Sequence, residues 1–188
     1  FFSPVILRPE NLDYHLGQQV SLFYENLASQ VSSAIRHDCF RHDQNCSFCG
    51  ERSYQIAADL IDSLPTIRSL LETDIEATLT GDPAATNSDE VIFSYPGLFA
   101  TMVYRLAHRL HELGVPLVPR IMSQHAYHRT AIDINPGAEI GSHFFIDHGA
   151  GVVVGISAVI GEANFLDWGW RVPFFLALPL GMIGLYLR

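Results

Sequence analysis

Cys39, Cys46 and Cys49 lie within eleven residues of one another, with His37 and His42 beside them. Cys-x-x-Cys is a common half-site for zinc, which takes four nitrogen or sulfur ligands in a tetrahedron. Three cysteines and one histidine suffice in number, but the usual second pair is incomplete. No metal is expected, and reduced thiols on an interhelical loop are preferred; zinc at these three cysteines is the alternative. An odd number of cysteines in one cluster does not form a disulfide framework. His148 follows Asp147 in a glycine-rich turn, a place where such residues are usually ordinary surface groups. Asp82 precedes Pro83 and suits a turn or a helix cap, and Asp133 suits an exposed strand position.

The chain excludes other chemistry. All 11 basic residues are arginine and there is no lysine, which removes Schiff-base, pyridoxal-type and P-loop lysine mechanisms. The net charge of -9 argues against a nucleic-acid partner, which needs a basic footprint. No signal pattern opens the chain, so a reducing, cytoplasmic setting is the default. The first residue is Phe1 rather than Met, and the chain reads as a fragment.

Helices must position these groups. Residues 11–36 have Val20, Phe23, Leu27, Val31 and Ala34 at three- and four-residue spacing, predicting an amphipathic helix. A second helix follows with Tyr54, Ala57, Ala58, Ile61 and Leu64 on one side. Ser63 and Pro65 predict a stop and restart. Gly81-Asp82-Pro83 marks a break, and a loop is expected to about Ser94. Pro96 and Gly97 open a helix carrying Leu98, Met102, Leu106 and Leu110, with Gly114 as its C-cap. A short helix from Pro119 to about His128 closes the helical part.

The period then changes. Ile134, Ile140, Ile146 and Val152 are six apart, and after a two-residue slip Val154 and Ile160 continue. Helices do not repeat at six; hexapeptide parallel β-helices do. The fold class expected is α+β. Residues 1–130 form a helical domain, 131–163 a partial left-handed β-helix and 164–188 an apolar helical tail. Val172–Leu187 has no charge but is short of the roughly 18 residues that a spanning helix needs.

The run from Gly81-Asp82-Pro83-Ala84-Ala85 through Asp133-Ile134-Asn135-Pro136-Gly137-Ala138 to Phe145-Ile146-Asp147-His148-Gly149-Ala150-Gly151 resembles serine O-acetyltransferases. The helical segment before Gly81 is also similar to that family's N-terminal domain. The resemblance implies acetyl transfer from acetyl-CoA to the L-serine hydroxyl, toward cysteine. It assigns His148 as general base, Asp133 as the carboxylate orienting it, and Asp82 and Asp147 to the serine site. It implies trimers or dimers of trimers. Asn135 and Ile156 depart from the commoner histidine and glutamate of the family. The family's later coils and acetyl-CoA groove have no counterpart here, so no turnover is expected of this chain. Trp168-Gly169-Trp170-Arg171-Val172-Pro173-Phe174-Phe175 instead resembles major-facilitator transporters of the proline/betaine type, which implies a junction near 163–166 and membrane contact through the tail. The alternative reading is a non-catalytic oligomerising fragment or a membrane-associated chimeric product.

Overall fold

The computed structural model describes residues 8–43, 46 and 49–147, together with the backbone of 153–154. Two 33-residue helices, α1 (Pro9–Arg41) and α2 (Cys49–Gly81), pair as a hairpin. Then come α3 (Ser88–Ser94), α4 (Pro96–Glu112) and α5 (Val118–Thr130). The strand β1 (Asp133–Ile134) runs parallel to β2 (Val153–Val154).

α1 is longer than its periodicity predicts, and its expected face is only half used. Leu27, Val31 and Ala34 are buried with Ala28 and Ile35, whereas Val20 and Phe23 stay exposed. α2 corrects the predicted stop: it is continuous through Pro65. An internal proline removes one backbone bond and costs about 3 kcal/mol. Leu60 before it and Ile67 after it belong to one buried cluster with Val31, Ile35, Ile56, Ala57 and Leu110. Burial on both sides of Pro65 offsets the lost bond. Ser63 and Ser69 donate to the carbonyls of Leu60 and Pro65, adding local bonds across the same turn. The buried face is also rotated from the one predicted, because Tyr54 is exposed and donates to Glu25.

The expected loop to Ser94 contains α3. Asn87 caps it by accepting from the Glu90 amide, so the cap satisfies one of the free N–H groups of the first turn. α4 begins at Pro96 as expected, and Gly114 follows its C-cap with φ of 71°. Its buried side is made by Ala100, Val103, Tyr104, Ala107 and Leu110, while Met102 is exposed. α5 spans slightly more than the helix expected between Pro119 and His128.

A second cluster unites Ala100 and Tyr104 of α4 with Ile132, Ile134 and Ala138, and Ile140, Phe144 and Ile146 pack against it. Three positions spaced by six residues therefore converge on one core. The parallel register pairs Asp133 with Val153 and Ile134 with Val154. That offset is 20 residues, the length that the hexapeptide reading expects for one 18-residue coil plus the two-residue slip. The rest of the expected β-helix repeats, Val152 and Ile160 among them, and the expected tail 164–188 lie outside the described residues. Among the described residues no helix is long and apolar enough to cross a membrane.

Candidate functional site

Asp82 stands just after the last turn of α2. Its Oδ1 accepts the Ala84 amide at 2.8 Å, so it does begin a turn. Its Oδ2 accepts the Tyr95 hydroxyl at 2.7 Å. That bond, chiefly, pushes the Tyr95 phenol up to about 12, with burial and the charges of Asp82, Glu90 and Asp147 adding to it. Asp82 thus holds the Tyr95 hydroxyl at the junction between α3 and α4. Glu90 completes an acidic patch. Hydrogen bonds from Thr86 hold its carboxyl below the usual carboxylate range.

Two glycines let the chain carrying Asp147 come close. A Cβ on Gly81 would stand 2.8 Å from the Phe145 ring, and one on Gly97 would stand 2.9 Å from the Ile146 carbonyl oxygen. Contacts below 3.0 Å force a displacement, so only glycine fits beneath residues 145–147. Gly81 belongs to the Gly-Asp-Pro motif and Gly97 to the Tyr-Pro-Gly motif. Both motifs are seats for the third.

The turn before residue 145 is held by a buried ion pair. Arg105 of α4 donates through Nε and Nη2 to the two carboxylate oxygens of Asp74 on α2, each at 2.7 Å. Both side chains are almost fully buried, and a two-pronged bond of this kind fixes geometry as well as charge. Arg105 Nη2 also donates to the Gly141 carbonyl at 2.8 Å, and Asp74 accepts the Phe144 amide at 2.9 Å. The His143 amide donates to Thr73 Oγ1 at 3.0 Å. Tyr104 donates to the Ala138 carbonyl, and His108 Nδ1 lies 2.7 Å from the Pro136 carbonyl. One face of α4 therefore holds the backbone from 136 to 141, and the end of α2 holds 143 and 144.

Asp133 is placed on β1 with its carboxylate half-buried. Its Oδ1 is enclosed, accepts no hydrogen bond among the described residues, and is ion-paired with Arg120 Nη1 at 3.6 Å. A buried carboxylate oxygen without a donor is costly, and the Arg120 charge offsets part of that cost. His148 lies outside the described residues. Asn135 accepts the Gly137 amide at 2.9 Å and shapes the turn after β1. The sequence reading missed Tyr95, Arg105 and Asp74 as site-forming residues. Asp74 was legible only as an acidic residue on an otherwise apolar helix face.

At the other end of α2, the sulfurs of Cys39, Cys46 and Cys49 all lie within 4.8 Å of one another. Cys46 and Cys49 are in direct contact, with Cα atoms 5.6 Å apart, a span that a disulfide can bridge.

No protein-family profile matches the chain. The chain is 48% identical over 119 residues to a plasmid-borne serine acetyltransferase of Synechococcus elongatus, covering 63% of this chain and 35% of that protein. It is 48% identical over 92 residues to a serine acetyltransferase of Helicobacter pylori, covering 49% and 54% respectively. The chain thus spans about a third to a half of the length of the curated relatives it matches. In structure it is similar to serine acetyltransferase 1 of Entamoeba histolytica, solved with L-cysteine. The TM-score is 0.67 at 32% identity, over 80% of this chain and 51% of that one. In sequence and in backbone alike, the described part of this chain is similar to the serine acetyltransferases.

Proposed function

We propose that this chain carries the serine-binding side of a serine O-acetyltransferase, which moves the acetyl group of acetyl-CoA onto the L-serine hydroxyl to give O-acetylserine. The close approach of Phe145 to Gly81 and of Ile146 to Gly97 carries the reading, because it brings the segment bearing Asp147 against the Gly-Asp-Pro motif bearing Asp82, and a pair of carboxylates there suits the ammonium of an amino acid. His148 follows Asp147 directly and takes the serine proton as general base, a role for which an imidazole is suited. Asp133 orients the imidazole, and its enclosed Oδ1, which accepts no hydrogen bond among the described residues, supports that reading. In the step, serine Oγ attacks the thioester carbonyl, the carbon–sulfur bond breaks, and the proton passes through His148 to the leaving thiolate. Acetyl-CoA is the co-substrate. The β-helix reading of 131–163, supported by the parallel pair and the six-residue core positions, supplies the scaffold.

The test joins residues 1–162 of this chain to the later coils of the Synechococcus relative and follows release of CoA thiol with acetyl-CoA and L-serine. Turnover that disappears in His148→Ala, with a raised KM for serine in Asp82→Asn, is the expected result. A folded chimera without turnover refutes the reading.

The second reading is an oligomerising module. The first half of α1 leaves Tyr14, Leu16, Val20, Leu22 and Phe23 exposed among the described residues. Sedimentation distinguishes it: a stable oligomer of the 188-residue chain without catalysis by the chimera favours this reading. The transporter-like reading of 164–188 rests on its sequence motif alone.

A further inference from the structure

We propose that Cys39, Cys46 and Cys49 bind one structural zinc ion that locks the α1–α2 hairpin. Tetrahedral zinc with sulfur bonds of about 2.3 Å separates its ligand sulfurs by roughly 3.8 Å. Cys39 and Cys49 sulfurs are 4.0 Å apart, and all three fall inside one 4.8 Å group, while the Cys46 and Cys49 sulfurs touch and must part as reduced thiolates to ligate the ion. The three thiols come from different pieces of chain: Cys39 from the last turns of α1, Cys46 from the connection, and Cys49 from the first residue of α2. A disulfide between Cys46 and Cys49 would leave Cys39 as an idle thiol against it, whereas a metal uses all three.

The surroundings suit a thiolate–metal centre. Cys49 is buried in the hairpin core, and Cys39 and Cys46 pack against that core while staying partly exposed. The centre is thus shielded on one side and reachable on the other, where His37 or His42 would supply the fourth ligand of a closed structural site. The positive end of the α2 backbone dipole lies at Cys49 and favours negative charge on its sulfur. Binding releases the thiol protons and ties the metal's free energy to closure of the hairpin. The zinc is structural and stands at the opposite end of α2 from Asp82, so the chemistry proposed above does not involve it.

The test uses the full 188-residue chain, purified under reductant from zinc-supplemented cells, with metal counted by mass spectrometry. About one equivalent of zinc per chain is expected. Mercurial titration of the thiols should release it, and Cys39→Ser should lose most of it while remaining helical by circular dichroism. Cobalt substitution of the unmutated chain supplies a readout that needs no variant: intense tetrahedral bands with thiolate-to-metal charge transfer. Less than about a tenth of an equivalent in the reduced protein overturns the proposal. So do zinc retention by Cys39→Ser at the unmutated level and a cobalt spectrum without thiolate bands.

Discussion

Replacing Arg105 with methionine tests how the turn carrying Asp147 is held. The substitution keeps much of the stem volume and removes the guanidinium. Asp74, only 1% exposed, then loses two of its three donors and keeps the Phe144 amide. The Gly141 carbonyl loses its donor as well. Charged hydrogen bonds are worth about 1.5–3 kcal/mol each, so three would sum to roughly 4.5–9 kcal/mol. Protonation of the stranded carboxyl limits the loss, and breaking a buried pair from one side costs about 3–5 kcal/mol. With a urea slope near 2 kcal/mol per molar, the unfolding midpoint falls by roughly 2 M. Because whole-domain stability is about 5–15 kcal/mol, the variant keeps a measurable folded baseline. The double variant Asp74→Leu, Arg105→Met removes both charges and should recover most of the loss, since apolar replacements of buried pairs are often neutral. Urea unfolding followed by circular dichroism gives all three values. A single-variant loss below about 1 kcal/mol, or a double variant no better than the single, refutes the account of Arg105 as the clamp.

Two further outcomes follow from the acidic patch and its seat. The Tyr95 phenol is raised above its ordinary value of 10.0, so its contribution to stability is complete below about pH 10 and fades as the pH rises toward about 12. Ultraviolet titration of the phenolates should show one group ionising later than the exposed tyrosines, and that late step should vanish in Tyr95→Phe and move earlier in Asp82→Asn. Gly97→Ala places a Cβ against a backbone carbonyl rather than a movable side chain, so overpacking of about 1–3 kcal/mol exceeds the helix-propensity gain of about 1 kcal/mol. Thermal unfolding should show a lower midpoint for Gly97→Ala than for Gly81→Ala, whose obstacle is the Phe145 ring.

The sequence makes some of this architecture legible and hides the rest for identifiable reasons. Pro96, Gly114 and Pro119 carry fixed backbone preferences, and the helix boundaries near them follow. The six-residue spacing of Ile134, Ile140 and Ile146 survives into one core because each side chain must point inward. By contrast, Pro65 is a local stop signal that non-local burial of Leu60 and Ile67 overrides. The buried side of α4 is built on Ala100 and Ala107, where small side chains permit close approach, so a search for large aliphatics rotates the face. Asn87 and Glu90 do bear a helix-start spacing, which the polar run around them conceals. Asp82, Asp133 and Asp147 are legible only by resemblance, and Asp82 is the one that hydrogen-bonds Tyr95. Arg105 and Asp74 are 31 residues apart and follow no period, so only tertiary structure pairs them.

The spacing of that clamp along the chain orders its assembly in time. Asp74 and Arg105 are separated by 31 residues, whereas the bonds from residues 143 and 144 back to α2 span 70. Loop closure grows costlier with length, and distant contacts form late. On a ribosome, the pair can close while the 140–144 turn is still unsynthesised. The ion pair would then wait as a preformed receptor, with donor and acceptor positions already fixed. Segment 140–147 would dock onto it as a guest peptide docks onto a binding site, so Asp147 becomes positioned only in the final step of folding.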